Sequence, residues 1–256
     1  MELQGKVAAV TGAASGIGKA LCHAIAAEGA AAIACVDIDT IGATATAQDV
    51  GGRAYTVDVS DDAAMSKLIN DVENDLGPID LFVSNAGIFM DGGPERPDAD
   101  WHRVWNINVM SQVIAARHVV PRMMSRGGGY LLNTASAAGV LNQVDAAPYA
   151  VSKHASVALS EWLAFTHKDD GIKVSVLCPQ AVESAMTAGG AGSAGLDGII
   201  PAAQAAADCI DAIRDEIFLI LPHSQVLGYM RNKTENYDRW LGGMTKLNRA
   251  YRGGTK

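Results

Sequence analysis

The stretch that decides the fold is TGAASGIG, residues 11–18. An apolar run, residues 6–10, leads into it, and an Ala-rich segment of helical period, residues 16–28, leads away. Gly12, Gly16 and Gly18 at a strand-to-helix turn would let the backbone come close to a pyrophosphate. The helix N-terminus would add N–H donors and positive dipole. Ser15 and Ile17 complete the turn. The spacing departs from G-x-G-x-x-G, so the turn by itself reads equally as a ligand loop or as a tight bend.

Working outward, short β-branched runs alternate with longer Ala-rich segments, the pattern of a parallel sheet wound by helices. Strands are expected at 6–10, 32–36, 53–57, 80–83, 130–134, 173–177 and 217–221, and helices near 16–28, 61–75, 98–126, 148–168 and 202–213. The strands are apolar almost throughout, as burial on both faces requires. The fold class this implies is α/β: a single-domain, Rossmann-like, doubly wound parallel sheet of about seven strands flanked by helices. No internal repeat or domain-sized composition break divides residues 1–256. The Gly/Ala/Ser-rich stretch at 185–200 reads as a mobile substrate flap. Residues 225–256 read as a C-terminal extension, with charges interleaved among Tyr229, Tyr237, Trp240, Leu241 and Leu247 at helical spacing.

Composition narrows the function. Of 256 residues 49% are hydrophobic and 19% charged, which suits a large core and argues against disorder. The net charge is -8 with no Lys/Arg block, so neither nucleic acid nor an anionic membrane is expected as a partner. At 5%, aromatic residues give no base-stacking stripe. Cys22, Cys35, Cys178 and Cys209 are scattered without ligand spacing, so no metal site is expected. The run VAAV is too short for a signal peptide and no stretch is long enough to span a bilayer, so a cytoplasmic protein is expected.

Asp37 ends the second expected strand, nineteen residues past Gly18. A carboxylate there can accept from an adenosine ribose 2′-OH and would repel a 2′-phosphate; no Arg or Lys stands beside it. NAD is therefore preferred to NADP. The competing reading is a solvated Asp at a strand end.

TGAASGIG, then NAG at 85–87, then Ser136 and YAVSK at 149–153 occur in an order and spacing that resembles the short-chain dehydrogenase/reductase family, over about residues 5–185. The resemblance implies that Asp58 and Val59 contact the adenine, and that Asn85, Ala86 and Gly87 line the cofactor. It implies a catalytic set of Asn108, Ser136, Tyr149 and Lys153, Asn108 holding a proton-relay water with Asn106 as the competing choice. Pro179, Val182 and Ser184 would hold the nicotinamide amide. The chain departs from the family pattern at Gln180, usually Gly, at Ser184, usually Thr, and in its C-terminal ending. A homodimer or homotetramer built on the 98–126 and 148–168 helices is also implied.

Tyr149 and Lys153, four positions apart, share a helix face. The ammonium, with a positive nicotinamide, is expected to bring the phenol's pKa down toward a working pH. Lys153 would also hold the nicotinamide ribose, and Ser136 would donate to the substrate oxygen. Pro148 is expected to preset the helix start. Met90, Val140, Leu141, Val144 and Met186 are candidate walls of an apolar pocket. The reading that results is an NAD-dependent oxidoreductase acting on a small-molecule secondary alcohol or ketone. Beside it stand an NADPH-dependent carbonyl or acyl-carrier reductase and a non-catalytic dinucleotide-binding protein.

Overall fold

The computed structural model describes residues 1–253. Its centre is a seven-stranded, all-parallel sheet in the order β3-β2-β1-β4-β5-β6-β7. The strands are β1 (Val7–Thr11), β2 (Ala32–Asp37), β3 (Arg53–Thr56), β4 (Leu81–Ser84), β5 (Gly129–Thr134), β6 (Ile172–Leu177) and β7 (Leu219–Ile220). The chain winds outward from β1 through β2 to β3, then crosses back to lay β4 on the other side of β1. That reversal opens a crevice at the carboxyl ends of β1 and β4, where α/β sheets bind ligands.

Successive residues of each strand feed opposite layers. Ala8 and Val10 of β1 face one way, with Ile33, Cys35, Leu81, Val83, Tyr130 and Leu132, and pack against α1 (Gly16–Ala27) and α7 (Ala202–Asp215). Ala9 faces the other way, with Ala34, Val36, Phe82 and Leu131, against α3 (Asp62–Leu76), α5 (Ser111–Ser125) and α6 (Ala147–Thr166). Each covering helix brings an apolar stripe: Leu21, Cys22 and Ile25 on α1, Met65, Leu68, Ile69 and Val72 on α3.

Two elements differ from the sequence reading, and the C-terminal segment is helical as its spacing suggested. α2 (Thr40–Val50) was not expected, because its TIGATATAQDV sequence carries only a narrow buried face, Ala43, Thr46 and Ala47. Its ends hold it: the Asp39 side chain accepts from the Ile41 N–H at 3.1 Å, and Gly51 closes it in the left-handed conformation at φ 66°. The single helix expected over 98–126 is α4 (Asp98–Trp105), a π-helical turn (Asn106–Met110) and α5. The C-terminal segment forms α8 (Gln225–Glu235) and α9 (Tyr237–Gly253).

The 185–200 stretch is tied at several points. Ala181 N–H donates to Ala194 O at 3.2 Å, Ile200 N–H to Ala181 O at 3.2 Å, and Tyr251 from α9 donates to Gly192 O at 3.1 Å. Among the described residues no helix is long and apolar enough to cross a membrane. No group of three or more His, Cys, Asp or Glu side chains among them could hold a metal ion.

Candidate active site

At the end of β1 the chain turns through Gly12, whose φ of 69° favours glycine. A Cβ there would lie 2.8 Å from Asn85 Nδ2 and 3.0 Å from Ala86 Cα. Gly16, at φ 54°, opens α1, and a Cβ on it would meet the Ser184 side chain at 3.1 Å. The N-cap Ser15 makes no side-chain hydrogen bond to the helix, so the first turn of α1 keeps donors for a ligand. Asp37, at the end of β2, braces this turn. Its Oδ2 accepts from Ala14 N–H at 2.9 Å and its Oδ1 from Asp39 N–H at 3.0 Å. Each oxygen keeps a further lone pair.

A second frame joins β1, β4 and β5. Thr11 Oγ1 donates to Val83 O at 3.2 Å and accepts from the N–H groups of Asn85 and Ala86 at 2.9 and 3.1 Å. Asn85 donates to Thr11 O at 3.0 Å and accepts from Thr134 at 3.1 Å. The Asn85 side chain therefore fastens strand ends together. Thr11 and Thr134 were not singled out from the sequence; a threonine at the end of a buried strand carries no motif.

Around these turns lies a cavity of about 920 Å³. Gly12, Ser15, Gly16, Ile17 and Asp37 line it, as do Asp58, Val59, Asn85, Ala86 and Gly87. Pro179, Val182 and Ser184 reach it from the segment after β6, and Ser136, Tyr149 and Lys153 from β5 and α6. Ile38, Asn106 and Ile107 also line it and were not predicted to bind a cofactor. Ile38 is 69% exposed, an apolar side chain beside Asp37 with nothing of the protein covering most of it.

Two predicted residues do not line the cavity. Gly18 is packed against the turn instead: a Cβ on it would fall 2.0 Å from Gly12 O, so its task is close approach of helix to turn. Asn108 is fully buried within the π-helical turn. Its Oδ1 accepts from Ile88 N–H at 2.9 Å, and its Nδ2 donates to Ile88 O and to Ser152 Oγ, both at 3.0 Å. With the side-chain amide spent on the frame, Asn108 holds the loop after β4 against α6. The widened π turn brings Asn106 and Ile107 to the cavity.

Ser136 leads into a 3₁₀ turn (Ala137–Gly139) and is 8% exposed. Its hydroxyl accepts from Ala138 N–H at 3.1 Å and donates to Pro179 O at 3.4 Å. α6 begins at Ala147, with Pro148 in its first turn, one residue earlier than the sequence suggested. Tyr149 follows at once, and its ring lies 5.1 Å from that of Phe89. Lys153, 3% exposed, donates to Thr134 O at 3.0 Å, and its Nζ lies 5.7 Å from the centre of the Tyr149 ring. Gly87 leaves them space: a Cβ there would lie 3.2 Å from Asn108 Oδ1 and 3.4 Å from Lys153 Nζ.

In the protein alone the electrostatics favour the neutral phenol. Burial raises the Tyr149 pKa above its ordinary value, and the Ser136 hydroxyl offsets this only in part. With the protein alone, the phenol stays above its ordinary value despite the nearby Lys153. Burial acts on Lys153 too, lowering its pKa to about 8. Desolvation disfavours both charged forms.

Of the candidate pocket walls, Met186 lines this cavity, while Leu141 and Val144 line a neighbouring one. Met90 and Val140 line neither.

Comparison with known proteins agrees with this geometry. The family model described as short chain dehydrogenase matches residues 6–191. The 1-deoxy-11-beta-hydroxypentalenate dehydrogenase of Streptomyces exfoliatus is 33% identical over 246 residues, covering 92% of this chain and 90% of the relative. The meso-2,3-butanediol dehydrogenase of Serratia marcescens is also 33% identical, over 74% of this chain and 76% of its own. Among solved structures, a short chain dehydrogenase/reductase from Burkholderia phymatum in complex with NAD superposes with a TM-score of 0.85 at 27% identity, covering 93% of this chain and 96% of that one. A parallel sheet reversing at β1 and β4, a glycine turn at that reversal and a family match spanning both lead to one conclusion: the chain belongs to the short-chain dehydrogenase family of oxidoreductases.

Proposed function

We propose that the protein is an NAD-dependent oxidoreductase that interconverts a secondary alcohol and its ketone, with Tyr149 as general acid and base. The observation that carries this reading is the gathering of Ser136, Tyr149 and Lys153 in the same 920 Å³ cavity as Gly12, Gly16 and Asp37. The residues present suit a dinucleotide. Gly12 and Gly16 let the turn lie close against Asn85, Ala86 and Ser184, the first turn of α1 has no side-chain cap, and Asp37 keeps acceptor capacity for a ribose hydroxyl. Gly12, Ser15, Gly16 and Ile17 would hold the pyrophosphate, Asp37 the adenosine ribose, and Asp58 and Val59 the adenine. Asn85, Ala86, Gly87, Pro179, Val182 and Ser184 would line the nicotinamide half. When bound, the nicotinamide supplies the hydride chemistry.

The chain's own residues move the proton. Ser136 donates to the substrate oxygen and steadies charge as it builds there. With its pKa raised by burial, the Tyr149 phenol holds its proton in the free protein and can give it to a ketone being reduced. In the oxidation direction the phenolate takes the hydroxyl proton, and positive charge brought close to the ring favours that form. Lys153 supplies one such charge and remains largely protonated below its pKa of about 8. Asn108 acts at one remove, through Ser152, which donates to the Tyr149 carbonyl at 2.7 Å.

The relatives named as dehydrogenases of hydroxylated substrates support alcohol–ketone chemistry. An acyl-carrier reductase is the second reading, favoured by a 31% identical relative, a 3-oxoacyl-[acyl-carrier-protein] reductase of Escherichia coli, and it could be joined to NADPH use. Asp37 argues against NADPH use, since its carboxylate would repel a 2′-phosphate. Paired titrations with NADH and NADPH test the choice, and tighter NADPH binding would reverse it.

A homodimer or homotetramer fits the exposed Val151, Trp162 and Phe165 of α6 and Trp105 and Met124 of α4 and α5. Sedimentation at micromolar concentration tests it, a monomer alone counting against it. With its acidic balance, a cytoplasmic protein working without nucleic acid or membrane is the matching proposal.

A further inference from the structure

A second cavity, of about 540 Å³, shares Ser136 and Gln180 with the first. It begins at the serine that faces the reacting oxygen in the proposed chemistry, and its walls come from segments outside the dinucleotide cradle. Leu141 and Val144 follow Ser136, Leu196 comes from the 185–200 stretch, and Trp240, Met244 and Leu247 come from α9. Apolar side chains from three segments thus line it, with Asn142, Gln143, Ser193 and Asn232 set among them.

The helical roof is fastened down. Lys233 of α8 is buried and donates to the carbonyls of Val140 and Leu141 at 2.8 and 3.3 Å, which ties α8 to the segment leaving Ser136. Its ammonium lies 5.0 Å from the centre of the Trp240 ring and 5.7 Å from that of Tyr237, so one cation joins both helices to that segment. Tyr229 donates to Asp197 at 3.0 Å and Gln143 to Ser193 at 2.7 Å, closing the roof and the 137–146 segment onto the 185–200 stretch. Among the described residues two charged side chains line the cavity: Asp197 accepts from Tyr229 through one oxygen and keeps the other buried without a partner, and Arg239 pairs with Glu235 at 2.8 Å.

We propose that this chamber takes the body of an uncharged, largely apolar secondary alcohol or ketone of two-ring size or more, with its oxygen presented to Ser136. The proposal rests on the reading of Ser136 and Tyr149 as the reacting pair. A chamber of 540 Å³ lies in the range that buries a drug-sized ligand, whereas a four-carbon diol would leave most of it to water. Roof and walls then act as the specificity determinants of this chain, and the departure from the family pattern at its C-terminus becomes its means of selecting bulk.

Two measurements test this separately from the reaction. The first is binding without turnover: quenching of tryptophan fluorescence by a two-ring ketone such as decalone, with no dinucleotide present. Saturable quenching in the wild type that is lost in Trp240→Phe, and far weaker with 2-butanone, supports the chamber. Absence of saturable quenching, or equal affinity for both ketones, overturns it. The second is kcat/KM for NAD reduction across 2-butanol, cyclohexanol and decalol. The expected rise is about fourfold per methylene buried, and Met244→Asp should cut the decalol-to-butanol ratio at least roughly tenfold. Turnover with no dependence on size overturns the chamber and leaves the reaction standing. Saturable quenching with no turnover of any alcohol overturns the reaction and supports the chamber.

Discussion

The Lys153 ammonium lies 5.7 Å from the centre of the Tyr149 ring and donates at 3.0 Å to the Thr134 carbonyl. Burial acts on the two groups in opposite senses, holding the proton on the phenol and loosening it on the ammonium. In the free protein the phenol thus keeps its proton, while the ammonium sheds its own only above about pH 8.

One consequence is for stability. Free lysine titrates near 10.5 and Lys153 at about 8, so between those values the unfolded chain holds a proton that the folded one has shed. Stability therefore rises with pH across that window, and below pH 8 the fold carries the full cost of the buried charge, about 3 kcal/mol. Lys153→Met is expected to raise the unfolding free energy at pH 7 by up to about 3 kcal/mol, less whatever the lost bond to Thr134 O contributes, with the gap closing toward pH 10.5. Denaturant midpoints at both pH values check this; a variant less stable at pH 7 would contradict it.

The phenol gives a second prediction. In the free protein, a phenolate absorbance difference between wild type and Tyr149→Phe should develop only above pH 10, and adding oxidised NAD should move its onset down. In alcohol oxidation kcat/KM should rise with pH, its apparent pKa values belonging to the Tyr149–Lys153 pair rather than to either residue. An onset well below pH 10 without cofactor would show that Lys153 lowers the phenol pKa unaided.

Asp37 can be tested by charge alone. Asp37→Asn keeps an acceptor for Ala14 N–H but loses the carboxylate. NADH should bind about tenfold more weakly, the difference between a charged and a neutral hydrogen bond, and NADPH should bind more tightly than to wild type. Unchanged affinities for both would remove Asp37 from the ribose site.

Asn108 is expected to act by position. Asn108→Ala leaves Ile88 N–H and O and the Ser152 hydroxyl without their partner. A loss of about 2–3 kcal/mol in stability is expected, with kcat falling more than KM changes, because Ser152 links Asn108 to the Tyr149 backbone. A loss of stability with kcat intact would make Asn108 purely structural.

How much of this was legible follows from what each signal depends on. The strands, the glycine turn and Asp37 were readable because burial on both faces and the turn conformation each demand particular residue types. Gly18 and Asn108 belong to the same motifs but serve packing, and residue type cannot tell a side chain facing a cavity from one turned into the frame. α2 escaped because its stability comes from its caps, Asp39 and Gly51, more than from an apolar stripe. The roof over the second cavity was invisible for another reason. Lys233 makes its contacts with carbonyls 93 and 92 residues away, and no local pattern encodes so distant a partner.

The most direct test of the account is NAD reduction by secondary alcohols with wild-type protein and Tyr149→Phe, alongside NADH binding to both. The account predicts turnover by the wild type, a fall of roughly 10²–10⁴ in the variant, and NADH affinity that changes little. Equal rates in the two proteins, or inertness in both across an alcohol panel that includes two-ring substrates, would contradict it.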